Sequence, residues 1–261
     1  MQANLKSASY QMKMMEQELL EGSSTQNTHG DKSMADIHDH QLSANQPASF
    51  VQVEAEPTTR PPIPRTLLLW LTYGVAGTVL FPIVYLIEGA TRPGYDAWGQ
   101  TISALSNGPG GWVQHLNFVI CGVSVLWMAF VWRKILSGGV CATWYPIIRG
   151  IEGFGLIGVA IFTQDPLHTV FLVVIVEAMT IDLFVIARRF WRQPLWCGWV
   201  TFSVACGLLP MVLMPIFGVS LNTHNAFTGY AGLFERLATN ADTIWSLVLL
   251  ARLWTRRSAG I

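Results

Sequence analysis

Six apolar segments, each close to twenty residues long, constrain this chain more than any other feature of its sequence. They lie near residues 66–88, 113–133, 144–163, 167–188, 195–217 and 232–254. A helix of about 20 apolar residues spans the hydrocarbon core of a bilayer, and it satisfies its own backbone hydrogen bonds in lipid. Only 12% of the residues are charged, compared with roughly a quarter in soluble domains. We therefore predict an all-α membrane protein, a bundle of six transmembrane helices.

Residues 1–60 differ in composition and are predicted to form a disordered polar cytoplasmic tail. They are rich in Gln, Ser, Asn and Thr, and they carry four Lys/Arg and eight Asp/Glu. Such a segment cannot bury enough apolar surface to offset the entropy of an unfolded chain. No apolar segment follows Met1, so we do not expect a cleavable signal peptide. Residues 61–261 would then be the six-helix transmembrane domain.

Positive charges are distributed unevenly between the loops, and this distribution predicts the topology. If all six segments cross the membrane, one side holds Arg60, Arg65, Arg133, Lys134, Arg188, Arg189, Arg192, Arg256 and Arg257. The other side holds Arg92 and Arg236. Because cytoplasmic loops carry the excess of Lys and Arg, we expect both termini in the cytoplasm and a location in the plasma membrane. The formal net charge of zero argues against a nucleic-acid partner.

Polar residues on the predicted outer side form the candidate binding face. The ligand-binding candidates are Arg92, Tyr95, Asp96, Ser103, Ser106, Asn107, Asp165, His168, Glu235 and Arg236. An arginine fork can bind phosphate or carboxylate through two parallel hydrogen bonds. In the alternative, structural interpretation, Arg92 pairs with Asp96 or Asp165. Arg236 would then pair with Glu235 or Glu88.

Several short motifs lie in the outer loops and the apolar segments. They are Arg92–Asp96, Ile102–Ser106, Gly111-Trp112, Asn117-Phe118, the glycines Gly150, Gly153, Gly155 and Gly158, Asp165-Pro166 and Gly229–Arg236. With these motifs, residues 66–254 resemble an integral membrane family catalogued as domain of unknown function 998 (DUF998). The resemblance implies a six-span fold and no particular activity. Family members tend to have a longer Gly/Pro linker where this chain runs from Asp165-Pro166 directly into Leu167-His168. The four glycines are predicted to let helix backbones approach closely.

Four charged residues inside the third and fourth segments are predicted to form a buried charge network. They are Arg149, Glu152, Glu177 and Asp182. A charge at the bilayer centre costs about 2.5–3.5 kcal/mol on insertion scales, so such groups usually face the bundle interior and pair. We expect Arg149 to pair with Asp182 or Glu152, at similar depth. The alternative is a proton or ion path through the three carboxyls.

Catalytic and metal-binding chemistry has few signals in this sequence. His115, His168 and His224 fall near the outer boundary together with carboxylates, and such groups can bind zinc. No tight metal-binding spacing occurs, so we predict no metal and no cofactor. Ser103 and Ser106 could be nucleophiles with a histidine base, but a Ser-x-x-Ser at a loop is more often a cap or turn.

The leading functional hypothesis is a non-catalytic membrane protein that binds a lipid or small amphiphile in an outer-facing polar pocket, with membrane lipids as partners. One alternative is an intramembrane enzyme on a lipid or isoprenoid substrate, with Asp165, Glu235 or a histidine as acid or base. The other is a proton-coupled transporter in which buried carboxylates relay the proton. The sequence does not indicate the oligomeric state.

Overall fold

The structure, a computed structural model, describes residues 63–136, 138–163, 166–191, 196–221 and 226–258. The predicted disordered tail and the residues Asp165, Asn222 and His224 lie outside the described residues. Within the described ranges the chain forms six long helices, one short 3₁₀ helix and no β-strand. The predicted all-α fold class is therefore confirmed for this part of the chain.

The long helices coincide with the six apolar segments of the sequence. They are α1 (Arg65–Thr91), α2 (Trp112–Ile135), α3 (Val140–Ile161), α4 (Pro166–Phe190), α5 (Cys197–Ser220) and α6 (Ala231–Ser258), and the 3₁₀ helix is Ser103–Ser106. Most of them extend a few residues beyond the predicted segments, because a helix continues past its apolar part until a turn-forming residue ends it.

Five of these helices, α1 to α5, are long and apolar enough to cross a membrane. The chain is therefore an integral, multi-pass membrane protein. The sixth helix, α6, has 28 residues, but Glu235, Arg236 and Asp242 lie in its first half and three arginines in its second. It does not meet the same criterion. By length and composition, five of the six predicted spans are therefore suited to cross a membrane.

The helices form a closed ring, in which each packs against the next along the chain and α6 returns to pack against α1. Glycine permits the close approach of α2 and α3, because a Cβ on Gly153 would lie 2.9 Å from the carbonyl oxygen of Gly122. A Cβ on Gly155 or Gly158 would meet side chains of α4 at 2.7 Å and 2.5 Å. These three positions confirm the predicted close packing. A Cβ on Gly150 would meet open space, so the prediction is wrong there.

The register of α3 against α4 sets the depth of the charged residues. The two helices are antiparallel, since Gly158 lies beside Phe171 and Gly155 lies beside Ile175.

The bundle has a loop end, where residues 92–111 connect α1 to α2. It also has a basic end, where Arg133, Lys134, Arg188 and Arg189 lie.

Candidate functional site

The loop between α1 and α2 is folded around the guanidinium group of Arg92. Its Nη1 donates to the carbonyl oxygens of Leu105 at 2.6 Å and Asn107 at 3.0 Å. Its Nη2 donates to the carbonyl oxygen of Pro109 at 3.2 Å and pairs with Glu88 at 2.9 Å. The side chain of Arg92 therefore closes the loop onto the end of α1.

Asp96 does not pair with Arg92, so the predicted Arg92–Asp96 ion pair is wrong. Its carboxylate instead accepts from the backbone N–H groups of Trp98 at 3.0 Å and Gly99 at 3.1 Å. A short acidic side chain that bonds the backbone two or three residues onward stabilises a turn. Asp96 thus shapes the loop locally.

Further along the loop, Gly108 and Gly110 have φ of 74° and 86°, which glycine adopts at no steric cost.

Arg236, in the first turns of α6, fastens the same loop from the opposite side. Its Nη1 donates to the carbonyl oxygens of Ala97 at 2.7 Å, Gln100 at 3.1 Å and Gly232 at 2.7 Å. Its Nη2 donates to the hydroxyl of Tyr95. Four hydrogen bonds therefore hold the two Nη groups of Arg236, and three of the four partners belong to the loop.

The neighbouring residue, Glu235, is a second connection between α6 and the loop. It is buried, and its Oε2 accepts from the backbone N–H of Ile102 at 2.6 Å. Among the described residues Arg236 forms no ion pair with Glu235 or Glu88. The predicted pairing of Arg236 with either acid is therefore wrong. The two side chains each bind backbone groups that lie more than 130 residues away in sequence.

The other candidates in the loop are placed in and under it. The Tyr95 hydroxyl donates to the carbonyl oxygen of Thr101 at 2.8 Å, and burial raises the pKa of Tyr95, which keeps the phenol protonated. Ser103 Oγ lies 3.1 Å from Thr101 Oγ1. Ser106 is buried, and its Oγ has no hydrogen-bond partner in the described part of the chain. Asn107 is exposed.

A narrow cavity lies beneath this loop, inside the ring of helices. Its polar lining comes from Thr78, Ser103, Glu152, His168, Glu235, Thr239, Asp242 and Thr243, and its apolar lining includes Phe81, Phe118, Leu156 and Ile175. The centre of a water molecule can occupy about 60 Å³ of it, which is room for several waters. Three carboxyl groups therefore face one small internal space.

The deep end of the cavity adjoins a buried charge cluster centred on Arg149. The side chain of Arg149 is fully buried, and its Nη1 lies 2.8 Å from Glu152, 2.9 Å from Asp182 and 2.7 Å from Asp242. Its Nη2 donates to Ser246 Oγ at 2.9 Å. The predicted pairing of Arg149 with Asp182 or Glu152 is confirmed with both acids. Three carboxyls surround one guanidinium, and Glu152 and Asp242 also line the cavity.

Glu177 is not part of this cluster, although the sequence predicted it in the buried network. The structure places its side chain on the exposed face of α4. Asp182, five residues further along α4, faces the interior. Five residues correspond to about 140° beyond a full turn of a helix, so the two acids point to different sides. The prediction for Glu177 is therefore wrong.

Three of the ten ligand-binding candidates line the cavity: Ser103, His168 and Glu235. Asp165 lies outside the described residues. His115 was considered as a metal ligand, and its Nδ1 lies 2.8 Å from the carbonyl oxygen of Ala160. The described ranges contain no group of three or more side chains placed to hold a metal ion.

Sequence reasoning did not select Asp242, which belongs to both the cavity and the charge cluster. A signal for it exists in the sequence. Glu235, Thr239, Asp242 and Ser246 follow one another at spacings of four, three and four, which places them on one face of a helix. An acidic and hydroxylated stripe along a mostly apolar segment indicates a face turned toward a polar interior.

The fold and the site together define a class: a multi-pass helical membrane protein with an acid-lined cavity between a tightly fastened loop and a buried arginine. Residues 75–252 match the family described as "Protein of unknown function (DUF998)". This match covers more than half of the chain, so the protein belongs to that family. Searches of curated proteins and of solved structures found no match.

Proposed function

We propose that the protein binds a small ligand with a cationic or hydrogen-bond-donating head group in the cavity beneath the loop. The observation that carries the proposal is the charge of the lining. Glu152, Glu235 and Asp242 contribute carboxyl groups to the lining. The other ionisable groups of the lining are the imidazole of His168 and the thiol of Cys121. Carboxylates accept hydrogen bonds and favour positive charge, and the apolar lining suits a short hydrocarbon part.

An anionic head group, which the outer arginines suggested from the sequence, is less well supported. Arg92 and Arg236 direct their Nη groups at backbone carbonyls of the loop, the tyrosine hydroxyl and Glu88. Neither lines the cavity. A ligand phosphate or carboxylate would have to displace these hydrogen bonds and would then face three acids.

The size of the cavity limits the ligand. Sites for drug-sized molecules occupy about 300–1,000 Å³, whereas the accessible space here is far smaller. A whole two-chain lipid does not fit this arrangement. The lipid-binding hypothesis is thereby narrowed to a small amphiphile of a few heavy atoms, or to one thin segment of a larger molecule.

The proposal includes a topology, with the loop end outside the cell and both termini in the cytoplasm of a plasma-membrane protein. The support is the excess of Lys and Arg at the basic end. It also includes α6 as a sixth span. In its favour, α6 packs between α5 and α1 in the ring. Its side chains Asp242 and Ser246 reach Arg149 in the bundle interior, at the depth of the middle of α3.

Thermal unfolding of the purified protein with n-butylammonium, n-butanol and butyrate tests the proposal. These three probes share one alkyl chain and differ in the charge of the head group. We expect butylammonium to raise the unfolding temperature more than butanol does, and butyrate to have no stabilising effect. A ligand that binds only the folded protein raises the free energy of unfolding by RT ln(1 + [L]/Kd), where [L] is the concentration of free ligand.

Glu235→Gln provides the matched variant, because the amide oxygen can still accept from Ile102 N–H while the negative charge is lost. It should reduce the butylammonium effect and leave the butanol effect unchanged. Glu177→Gln, which removes an exposed carboxylate, is the control and should behave as wild type. Equal shifts with all three probes, or an effect of Glu177→Gln alone, would contradict a specific cavity site.

Proton-coupled transport is a second candidate, and one specific observation favours it. The carboxyls of Glu235, Asp242 and Glu152 follow the cavity from beneath the loop to the charge cluster, and the space between them has room for waters. A relay through Glu177, as the sequence suggested, does not fit its exposed position. In proteoliposomes with an internal pH dye, Glu235→Gln should slow proton uptake and Glu177→Gln should not. Equal rates in wild type and Glu235→Gln would contradict this candidate.

A further inference from the structure

The exposed face of α4 carries a carboxyl group at its middle. Val170, Val173 and Ile181 are exposed to 54%, 54% and 45%, and Glu177 lies on the same stripe. These positions are spaced by three to four residues and therefore share one side of the helix. Because α4 crosses the membrane, this side would contact lipid in an isolated copy of the protein.

The depth of Glu177 follows from the register of α3 and α4. Ile175 lies beside Gly155, and Asp182 lies beside Arg149. Glu177 falls between these two levels and is the twelfth of the 25 residues of α4, so it lies near the middle of the span. An ionisable group at this depth is costly in lipid, and such groups almost always face protein or a water-filled space.

Within the described residues nothing on the chain compensates this carboxyl. Glu177 has no ion pair among those formed there and does not line the cavity. The exposed basic side chains of the helices, such as Arg133, Lys134 and Arg188, lie at helix ends. The described residues therefore leave Glu177 without a compensating partner, and a second molecule in the membrane can supply one.

A second copy of this chain supplies such a partner without any further assumption about composition. Copies inserted in one membrane have the same orientation, so a two-fold axis perpendicular to the membrane brings equivalent residues together at equal depth. Two carboxyl groups that meet in this way form a hydrogen bond when one is protonated, since a protonated carboxyl donates and a carboxylate accepts. The flanking valines and isoleucine are apolar and suit helix packing on either side.

We propose that the stripe Val170, Val173, Glu177 and Ile181 is the contact surface of a homodimer whose two-fold axis passes beside Glu177. The carboxyl groups of the two copies hydrogen-bond to each other across the axis. This inference is independent of the ligand proposed for the cavity, because Glu177 and the cavity lie on different sides of the bundle wall.

Subunit counting in dilute liposomes tests the oligomeric state of the full chain. We expect fluorescently labelled wild type to bleach mainly in two steps. Glu177→Gln should also do so, because an amide both donates and accepts across the axis. Glu177→Leu should lower the dimer association constant about tenfold, which is the order expected for the loss of one hydrogen bond between helices in lipid. Single-step bleaching of the wild type, or dimers that persist unchanged in Glu177→Leu, would overturn the proposal.

Cysteine crosslinking tests the geometry without depending on any change at Glu177. Val173→Cys and Ile181→Cys should each form a disulfide-linked dimer on mild oxidation, above the background from the four native cysteines. Val123→Cys on α2, where the side chain is also 54% exposed, is the matched control and should remain monomeric. Equal crosslinking at all three positions, or none at Val173 and Ile181, would overturn the proposed interface.

Discussion

Replacing Arg149 with glutamine should destabilise the protein more than any other single change in the charge cluster. The guanidinium lies within 2.9 Å of three carboxylates and donates to Ser246, and its side chain is fully buried. Glutamine leaves three acids without a cation in a water-poor interior. Removing one partner of a buried ion pair costs about 3–5 kcal/mol. We therefore expect a loss of stability of this order.

Replacing Asp182 with asparagine should have a much smaller effect. The guanidinium keeps Glu152, Asp242 and Ser246, and neither carboxylate oxygen of Asp182 accepts a hydrogen bond within the described residues. The expected loss is about 1 kcal/mol, of the order of one net polar contact, because two acids remain beside the cation. In the double variant the cation is absent and only two acids remain unpaired. The stability lost by the double variant should therefore be smaller, by about 0.5–3 kcal/mol, than the sum of the stabilities lost by Arg149→Gln and Asp182→Asn.

Thermal unfolding in detergent, with the folding yield measured by gel filtration, provides the assay. For a chain of this size about 1 kcal/mol corresponds to roughly 2–4 °C, so Arg149→Gln should lower the midpoint by roughly 6–20 °C. Arg188→Gln, at an exposed site in the basic end, is the matched control and should lie within about 2 °C of wild type. A midpoint for Arg149→Gln as close to wild type as the control, or strict additivity in the double variant, would refute the reasoning.

Three further changes test the packing and the loop. Gly153→Leu should reduce the stability by about 1–3 kcal/mol and lower the folding yield, because the new side chain collides with α2. Gly150→Leu points into open space and should fold like wild type. Equal yields for the two variants would contradict the register of α2 and α3. Arg236→Lys should make the loop of residues 92–111 more sensitive to protease added outside proteoliposomes, because an ammonium group cannot reach the same set of carbonyls. An unchanged cleavage rate would contradict the role of Arg236 in fastening the loop. Tyr95→Phe should destabilise by about 1 kcal/mol, a smaller loss than that of Arg236→Ala, and the reverse order would show that the phenol rather than the guanidinium holds the loop.

The arginines of the loop illustrate where prediction from the sequence failed. Arg92 and Arg236 were assigned either an ionic partner or an anionic ligand, which are the usual partners of an arginine on a surface. In the structure most of their Nη hydrogen bonds end on backbone carbonyls of a loop that contains one four-residue 3₁₀ helix and otherwise consists of turns and extended residues. Such partners have no signature in the sequence, because every residue has a carbonyl group and only the path of the chain decides which ones converge.

The sequence alone determined the number of long helices, their bounds to within a few residues, the pairing of Arg149 with nearby acids and the close packing at three glycines. These features depend on runs of apolar residues and on contacts between residues near in sequence or on adjacent helices. Tertiary structure alone decided which way α4 is rotated. In a membrane the lipid and the bundle interior are both apolar, so hydropathy does not distinguish the face of α4 that holds Glu177 from the face that holds Asp182. The tertiary structure likewise decided that Asp242 of α6 meets Arg149 of α3. This contact spans 93 residues of sequence, and only the closure of the helix ring brings it about.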